Sequence, residues 1–151
     1  MVHLDFQRDA AELRDLNIDP MNADRGDLEI ILLRQAITLV IGDSVVLDRI
    51  LIPLFFMATI GQRVVADLPK RQRAALDIPE GSLKLTFAMS GDEVTVREEY
   101  YSKEGRAPHE ELVEAWQRFS SEAREFLLRE FPDLVKHPGV GAWFRGEVAG
   151  D

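Results

Sequence analysis

Residues 82–101, SLKLTFAMSGDEVTVREEYY, constrain the fold more than any other stretch of the chain. Leu83, Leu85, Phe87 and Met89 alternate with Lys84, Thr86 and Ala88. Ser90-Gly91-Asp92 interrupts the pattern, and Val94 and Val96 resume it on the return. Alternation with a period of two on both sides of a glycine-bearing turn predicts an antiparallel hairpin with one buried face. A second hairpin precedes it. Residues 28–41 are rich in Ile, Leu and Val, broken only by Glu29, Arg34, Gln35 and Thr38. They read as one long strand with a bulge near Arg34-Gln35. Gly42-Asp43 suits a type II′ turn, after which residues 44–47 continue extended.

Each hairpin feeds a helix that opens with proline, whose missing N–H costs nothing in a first turn. Pro53 opens a helix that stops before Pro69, and its apolar residues wrap much of its circumference. Pro108 opens a second, reaching Phe131, in which Leu112, Trp116, Phe119, Ala123, Phe126 and Leu127 recur every three or four positions. Val2, Leu4 and Phe6 mark a short N-terminal strand, residues 9–16 a brief helix and residues 17–27 a loop. In the tail after Phe131, Val140, Trp143 and Phe144 are the residues expected to pin it to the body. The fold class is therefore α+β: an antiparallel sheet of about five strands (strand, hairpin, helix, hairpin, helix) with two helices packed on one face. At 151 residues the chain is expected to form one domain, with an N-terminal strand and loop (1–27), a core (28–131) and a Gly/Pro-containing C-terminal tail (132–151).

Charge and residue usage narrow the function. Twenty-seven acidic against 18 basic residues leave a net charge of −9, spread over both halves. Such a chain is repelled by phosphate backbones, so nucleic acid is not an expected partner. The basic cluster Lys70, Arg71 and Arg73 reads as a solvated turn after a helix. There is no cysteine, which excludes thiol chemistry, cysteine zinc sites and disulfides and favours a cytoplasmic location. The N-terminus carries no signal-peptide pattern. The most apolar run, bounded by Ile50 and Ile60, is shorter than the ~20 residues that cross a bilayer, so no membrane association is expected.

No catalytic motif appears. His3, His109 and His137 lack ligand spacing, and HExxH, His-x-His, EF-hand, GxSxG, GxGxxG and GxxxxGK(S/T) patterns are all missing. No metal and no cofactor is expected, and no catalytic residue is assigned. Glu98 and Glu99 are neighbours in a strand and point to opposite faces, so they cannot by themselves form an acid–base dyad. One constellation points outward instead. Between Asp92 and Glu114 stand eight acidic and three basic residues, with Tyr100 and Tyr101 among them. Tyrosines anchor protein interfaces and carboxylates steer a basic partner. Glu98, Glu99, Tyr100, Tyr101 and Glu104 are the candidate partner-binding residues, and the loop at residues 102–107 is expected to present the same edge.

The hairpin ITLVIGDSVVLDR, the Pro53 helix, the hairpin LKLTFAMSGDEVTVREEYY and the closing helix PHEELVEAWQRF together resemble, in layout and acidity, small bacterial domains of unknown function and the immunity proteins of polymorphic toxin systems. The resemblance covers residues 28–131 and carries no catalytic residue. It implies a cytosolic, non-enzymatic protein that binds and neutralises a basic toxin, often a nuclease. Two alternatives stand beside it. One is a homodimer of structural or regulatory role, joined through residues 50–60, whose apolar surface exceeds what one sheet face hides. The other is a small-molecule binding module with a pocket between sheet and helices lined by Phe55, Phe56, Phe87, Trp116 and Phe119.

Overall fold

The computed structural model describes residues 1–14, 19–30, 32–79, 81 and 83–147. The ends expected for the first brief helix (Leu16), the second hairpin (Ser82) and the tail (Asp151) lie outside the described residues.

The fold is α+β, as expected; among the described residues seven strands form two antiparallel sheets rather than one sheet of about five. The first sheet orders β1 (Val2–Phe6), β2 (Arg34–Ile41) and β3 (Ser44–Pro53). The second orders β4 (Arg73–Asp77), β5 (Lys84–Ser90), β6 (Glu93–Glu98) and β7 (Lys103–Pro108). The two helices expected are α3 (Leu54–Ala66) and α5 (His109–Glu130). Four single-turn or two-turn α-helices accompany them: α1 (Ala10–Leu13), α2 (Arg25–Ile30), α4 (Leu68–Arg71) and α6 (Gly141–Phe144).

Both expected hairpins form. At each turn glycine takes positive φ, 59° at Gly42 and 62° at Gly91, while the following aspartate does not, the type II′ pattern. Both also run into their helices without a loop, the second by way of β7. Pro53 and Pro108 end a strand with extended ψ (121° and 141°), and the next residue is already helical. The first residues of these helices donate to distant carbonyls: Leu54 N–H to Leu33 at 2.9 Å and His109 N–H to Asp92 at 2.8 Å.

The long strand expected over residues 28–41 divides. Its first part is α2, whose start is held by the Asp24 carboxylate accepting from Asp27 N–H at 2.8 Å. A short apolar run suits a buried helix as well as a strand, and the cap decides it. The bulge expected near Arg34-Gln35 falls instead on β3. Register slips between Ile37 and Leu39 and again between Leu39 and Val40, leaving extra residues on the β3 side, where Arg49 has φ 51°. Gln35 is fully buried and regular in β2, its side-chain amide bonded both ways to the Asp9 backbone at 2.8 Å.

One continuous core joins the layers. α5 bridges the sheets: Phe119 meets Phe6 of β1 edge-on at 5.5 Å, and Trp116 meets Phe87 of β5 at 6.2 Å. It grips α3 through two side chains that donate to backbone carbonyls, Trp116 Nε1 to Met57 at 3.0 Å and Ser120 Oγ to Ala58 at 2.7 Å. The tail is pinned by the residues expected, with Trp143 edge-on to Phe55 at 5.1 Å. Within the segment 50–60, Leu54, Phe55, Met57 and Ala58 are fully buried in the chain's own core, while Leu51 keeps 46% of its surface exposed. Phe55, Phe56, Phe87, Trp116 and Phe119 are packed as core rather than arrayed around a pocket. Among the described residues no helix is long and apolar enough to cross a membrane.

Candidate functional site

The candidate residues gather at the turn that joins β6 to β7. Glu98 pairs with Lys103, so residues 99–102 form a four-residue loop, closed by Ser102 in the left-handed region (φ 56°). Glu98 holds the loop from inside. Only 1% of it is exposed, and its two carboxylate oxygens accept from the backbone N–H of Tyr100 (2.8 Å) and of Tyr101 (2.6 Å). Strand parity explains the burial: Val94, Val96 and Glu98 fall on one face of β6, so the face that carries the core also carries this carboxylate. Glu98 therefore shapes the surface without lying on it.

The other four candidates are exposed. Tyr100 and Tyr101 are 65% and 61% accessible and stack edge to face at 4.7 Å. Glu99 accepts from the Thr86 hydroxyl at 2.6 Å and from Arg97 Nε at 3.2 Å. The Thr86 bond first, and then Arg97, hold its carboxyl below the ordinary carboxylate range, so it stays ionised at neutral pH. Glu104 lies 3.6 Å from the same guanidinium, which also donates to Ser102 Oγ at 3.1 Å. The cation thus ties together both sides of the loop.

Beneath the tyrosines runs a groove between β3 of the first sheet and the β6–β7 end of the second. One part, of about 300 Å³, has an apolar floor of Val45, Leu47, Ile50 and Leu83, with Tyr101 on its wall. It continues past Asp48 and Lys103 into a shallower part of about 470 Å³ that adds Asp43 and Glu104. Three exposed carboxylates (Asp43, Asp48 and Glu104) and one cation (Lys103) line the two parts, with the buried Glu98 behind them. Gly105 sets the approach of the sheets: a Cβ there would sit 2.7 Å from Cβ of Ile41, so only glycine lets β7 cross the β2–β3 hairpin this closely.

This geometry redraws the acidic cluster. Residues 102–107, expected as a loop, are mostly strand β7, which runs back along β6. Glu93 lies at the opposite end of β6, five residue steps or about 17 Å from Glu98, and Asp92 is one residue beyond it in the turn. Glu110 and Glu111, in the first turn of α5 beside that end, are equally remote. That separation is about twice the screening length of ~8 Å at physiological salt, so those acids act apart from the tyrosines. In their place the β3 hairpin contributes Asp43 and Asp48, which reading along the chain missed. Their only signal was the Asp48-Arg49 pair interrupting an otherwise apolar strand, which is where the bulge falls.

The histidines are engaged elsewhere. Nδ1 of His137 accepts from Gly139 and Val140 N–H at 2.9 and 3.2 Å, so Nε2 carries the proton and donates to Ala23 carbonyl at 2.6 Å. His109 Nε2 bonds Val65 carbonyl at 2.8 Å, and His3 lies beside Asp5 at 4.0 Å. Among the described residues no group of three or more His, Asp or Glu is placed to hold a metal ion. Comparison with known protein families, with curated proteins and with solved structures finds no match.

Proposed function

We propose that this is a non-enzymatic, cytoplasmic protein-binding domain that captures a basic partner protein, of the kind an immunity protein neutralises as a toxin or nuclease, through the Tyr100–Tyr101 loop and the acidic groove beneath it. The observation that carries the reading is the exposure of two adjacent tyrosines on a loop locked from within by a buried carboxylate. A rigid aromatic pair loses little conformational entropy on binding, and such anchors dominate interface energetics. The acidic side chains of Glu99, Glu104, Asp43 and Asp48 around it favour lysine- and arginine-bearing surfaces and speed capture at low salt.

The test is a low-salt pull-down with the protein encoded beside this one, followed by titration of the purified pair. Tyr100→Ala combined with Tyr101→Ala is expected to weaken binding at least about 30-fold, the effect of losing one interface hot spot of ~2 kcal/mol. Glu99→Lys with Glu104→Lys is expected to slow association and flatten its salt dependence. Glu98 is left intact, because reversing a buried charge would collapse the loop whether or not it binds. Partner affinity unchanged in both double variants would refute the proposal.

A further inference from the structure

A second polar concavity lies away from the tyrosine loop, where the C-terminal end of α3 meets α4 and the edge strand β4. It encloses about 210 Å³ and is lined by Arg63, Val64 and Asp67 on one side and by Arg71, Arg73, Ala74 and Ala75 on the other. Its charged lining is Arg63, Arg71, Arg73 and Asp67; Arg63 is engaged in a further interaction of its own, so the positive charge that the cleft offers is that of Arg71 and Arg73. Half of the fourteen arginines of this protein are seen beside carboxylates: Arg8, Arg14, Arg25, Arg34, Arg49, Arg97 and Arg145 approach one within 2.7 to 3.7 Å. Arg71 and Arg73 make no ion pair among the described residues and both face this cleft.

The local backbone presents them together. Gln72 stands between them in the left-handed region (φ 65°), its N–H donating to Leu68 carbonyl at 2.7 Å and its side-chain amide to Pro69 carbonyl at 2.8 Å. The turn is therefore closed on itself, and the two arginines leave it on either side. The strand adds donors. Met89 N–H bonds Gln72 carbonyl and Ile78 N–H bonds Leu83 carbonyl, so residues 72, 74, 76 and 78 are those that bond inward to β5. Backbone N–H groups of Arg73 and Ala75 accordingly point off the open edge of the sheet.

We propose that this cleft is a binding site for a phosphate-class oxyanion, either the free ion or the phosphate end of a small molecule. Two forked guanidinium groups match the several oxygens of a tetrahedral dianion, which can accept from both at once. The volume suits one or two such groups and falls below the range of typical drug-sized ligand pockets. The positive field of Arg71 and Arg73 acts twice as strongly on a dianion as on chloride, so divalent phosphate is preferred over chloride.

The test titrates the full chain with inorganic phosphate and with pyrophosphate at constant ionic strength, following backbone amide and arginine Nε–H resonances by NMR. Saturable shifts confined to Arg63, Arg71, Arg73 and their neighbours are expected, with pyrophosphate the tighter probe. Arg71→Gln and Arg73→Gln should each weaken binding by about tenfold, the loss of one charge-assisted contact. Arg118→Gln on the exposed face of α5 should leave it unchanged. If Arg73→Gln disturbs β4, Arg71→Gln alone keeps the test decisive. Equal shifts from chloride at matched ionic strength mean an adventitious ion only and overturn the proposal, as does an unchanged affinity in Arg71→Gln. Neither result bears on the tyrosine loop, which lies on a different part of the molecule.

Discussion

Removing the Glu98 carboxylate should loosen the tyrosine loop and destabilise the whole domain. In Glu98→Ala, two backbone N–H groups lose their partners, those of Tyr100 and Tyr101. A hydrogen bond to a charged group contributes about 1.5–3 kcal/mol, so the gross loss is about 3–6 kcal/mol. Two effects reduce it. The orphaned N–H groups lie in a part-buried turn that water can reach, and a carboxylate no longer has to be buried. A net loss of about 2–3 kcal/mol is expected, which in a chain of this size lowers Tm by about 4–12 °C. Glu98→Gln keeps one good acceptor but turns an amide donor toward an N–H, and is expected to fall between wild type and the alanine variant. Thermal unfolding gives the ranking. Amide hydrogen exchange at Tyr100 and Tyr101 shows whether the loss is local, and near-ultraviolet circular dichroism reports the tyrosine packing. An alanine variant that melts within 1 °C of wild type, with protection at both amides intact, would refute the assignment of Glu98 as the lock.

Further expectations follow from other contacts. Gly105→Ala forces a Cβ against Ile41 and should cost about 1–3 kcal/mol, read as a lower urea midpoint with an unchanged slope. His137→Ala removes one donor and one doubly used acceptor in a buried site, and should cost about 2–4 kcal/mol while raising exchange in residues 137–147 ahead of the rest of the chain. Asp5 carries a pH dependence. Burial pushes its carboxyl up, but the Phe6 N–H and the Arg8 guanidinium together outweigh that and hold it below its ordinary value. Its contribution is therefore present above the unfolded-state pKa and is lost as the pH falls through the depressed folded-state value. Urea unfolding between pH 5 and pH 2.5 should show a smaller loss of stability in Asp5→Asn than in wild type, and an identical slope would contradict the contact with Arg8.

Local sequence patterns reached far into this fold because they obey local physics. Alternation with a period of two marked both sides of the 84–98 hairpin, and glycine followed by aspartate marked the turns, since only a residue without Cβ takes positive φ freely. Pro53 and Pro108 marked the starts of both long helices for the same reason, a fixed φ and a missing donor. Strand β4 escaped notice because Arg73-Ala74-Ala75-Leu76-Asp77 has one strongly apolar residue, Leu76, and owes its form to pairing with β5. Strand β7 escaped because Lys103-Glu104-Gly105-Arg106-Ala107-Pro108 reads as a polar loop, and only the partner strand β6 makes it extended.

The site divides along the same line. That Tyr100 and Tyr101 lie in an acidic setting was legible in the chain itself, and so was the opposition of Glu98 to Glu99, because neighbouring residues of a strand face opposite ways. Which of the two carboxylates turns inward was already implied by the parity of Val94 and Val96. That the inward one would serve as an acceptor for the loop depended on how β6 turns into β7. Reading along the chain also grouped Asp92 and Glu110 with the tyrosines, whereas folding sends them to the far end of β6. In their place it brings Asp43 and Asp48 from the other sheet, some fifty residues away in sequence. Side-chain parity, turn chemistry and helix starts depend on near neighbours and are written in the chain. Which surfaces share a groove depends on how two sheets cross at Gly105 and Ile41, a long-range packing decision that no local pattern encodes.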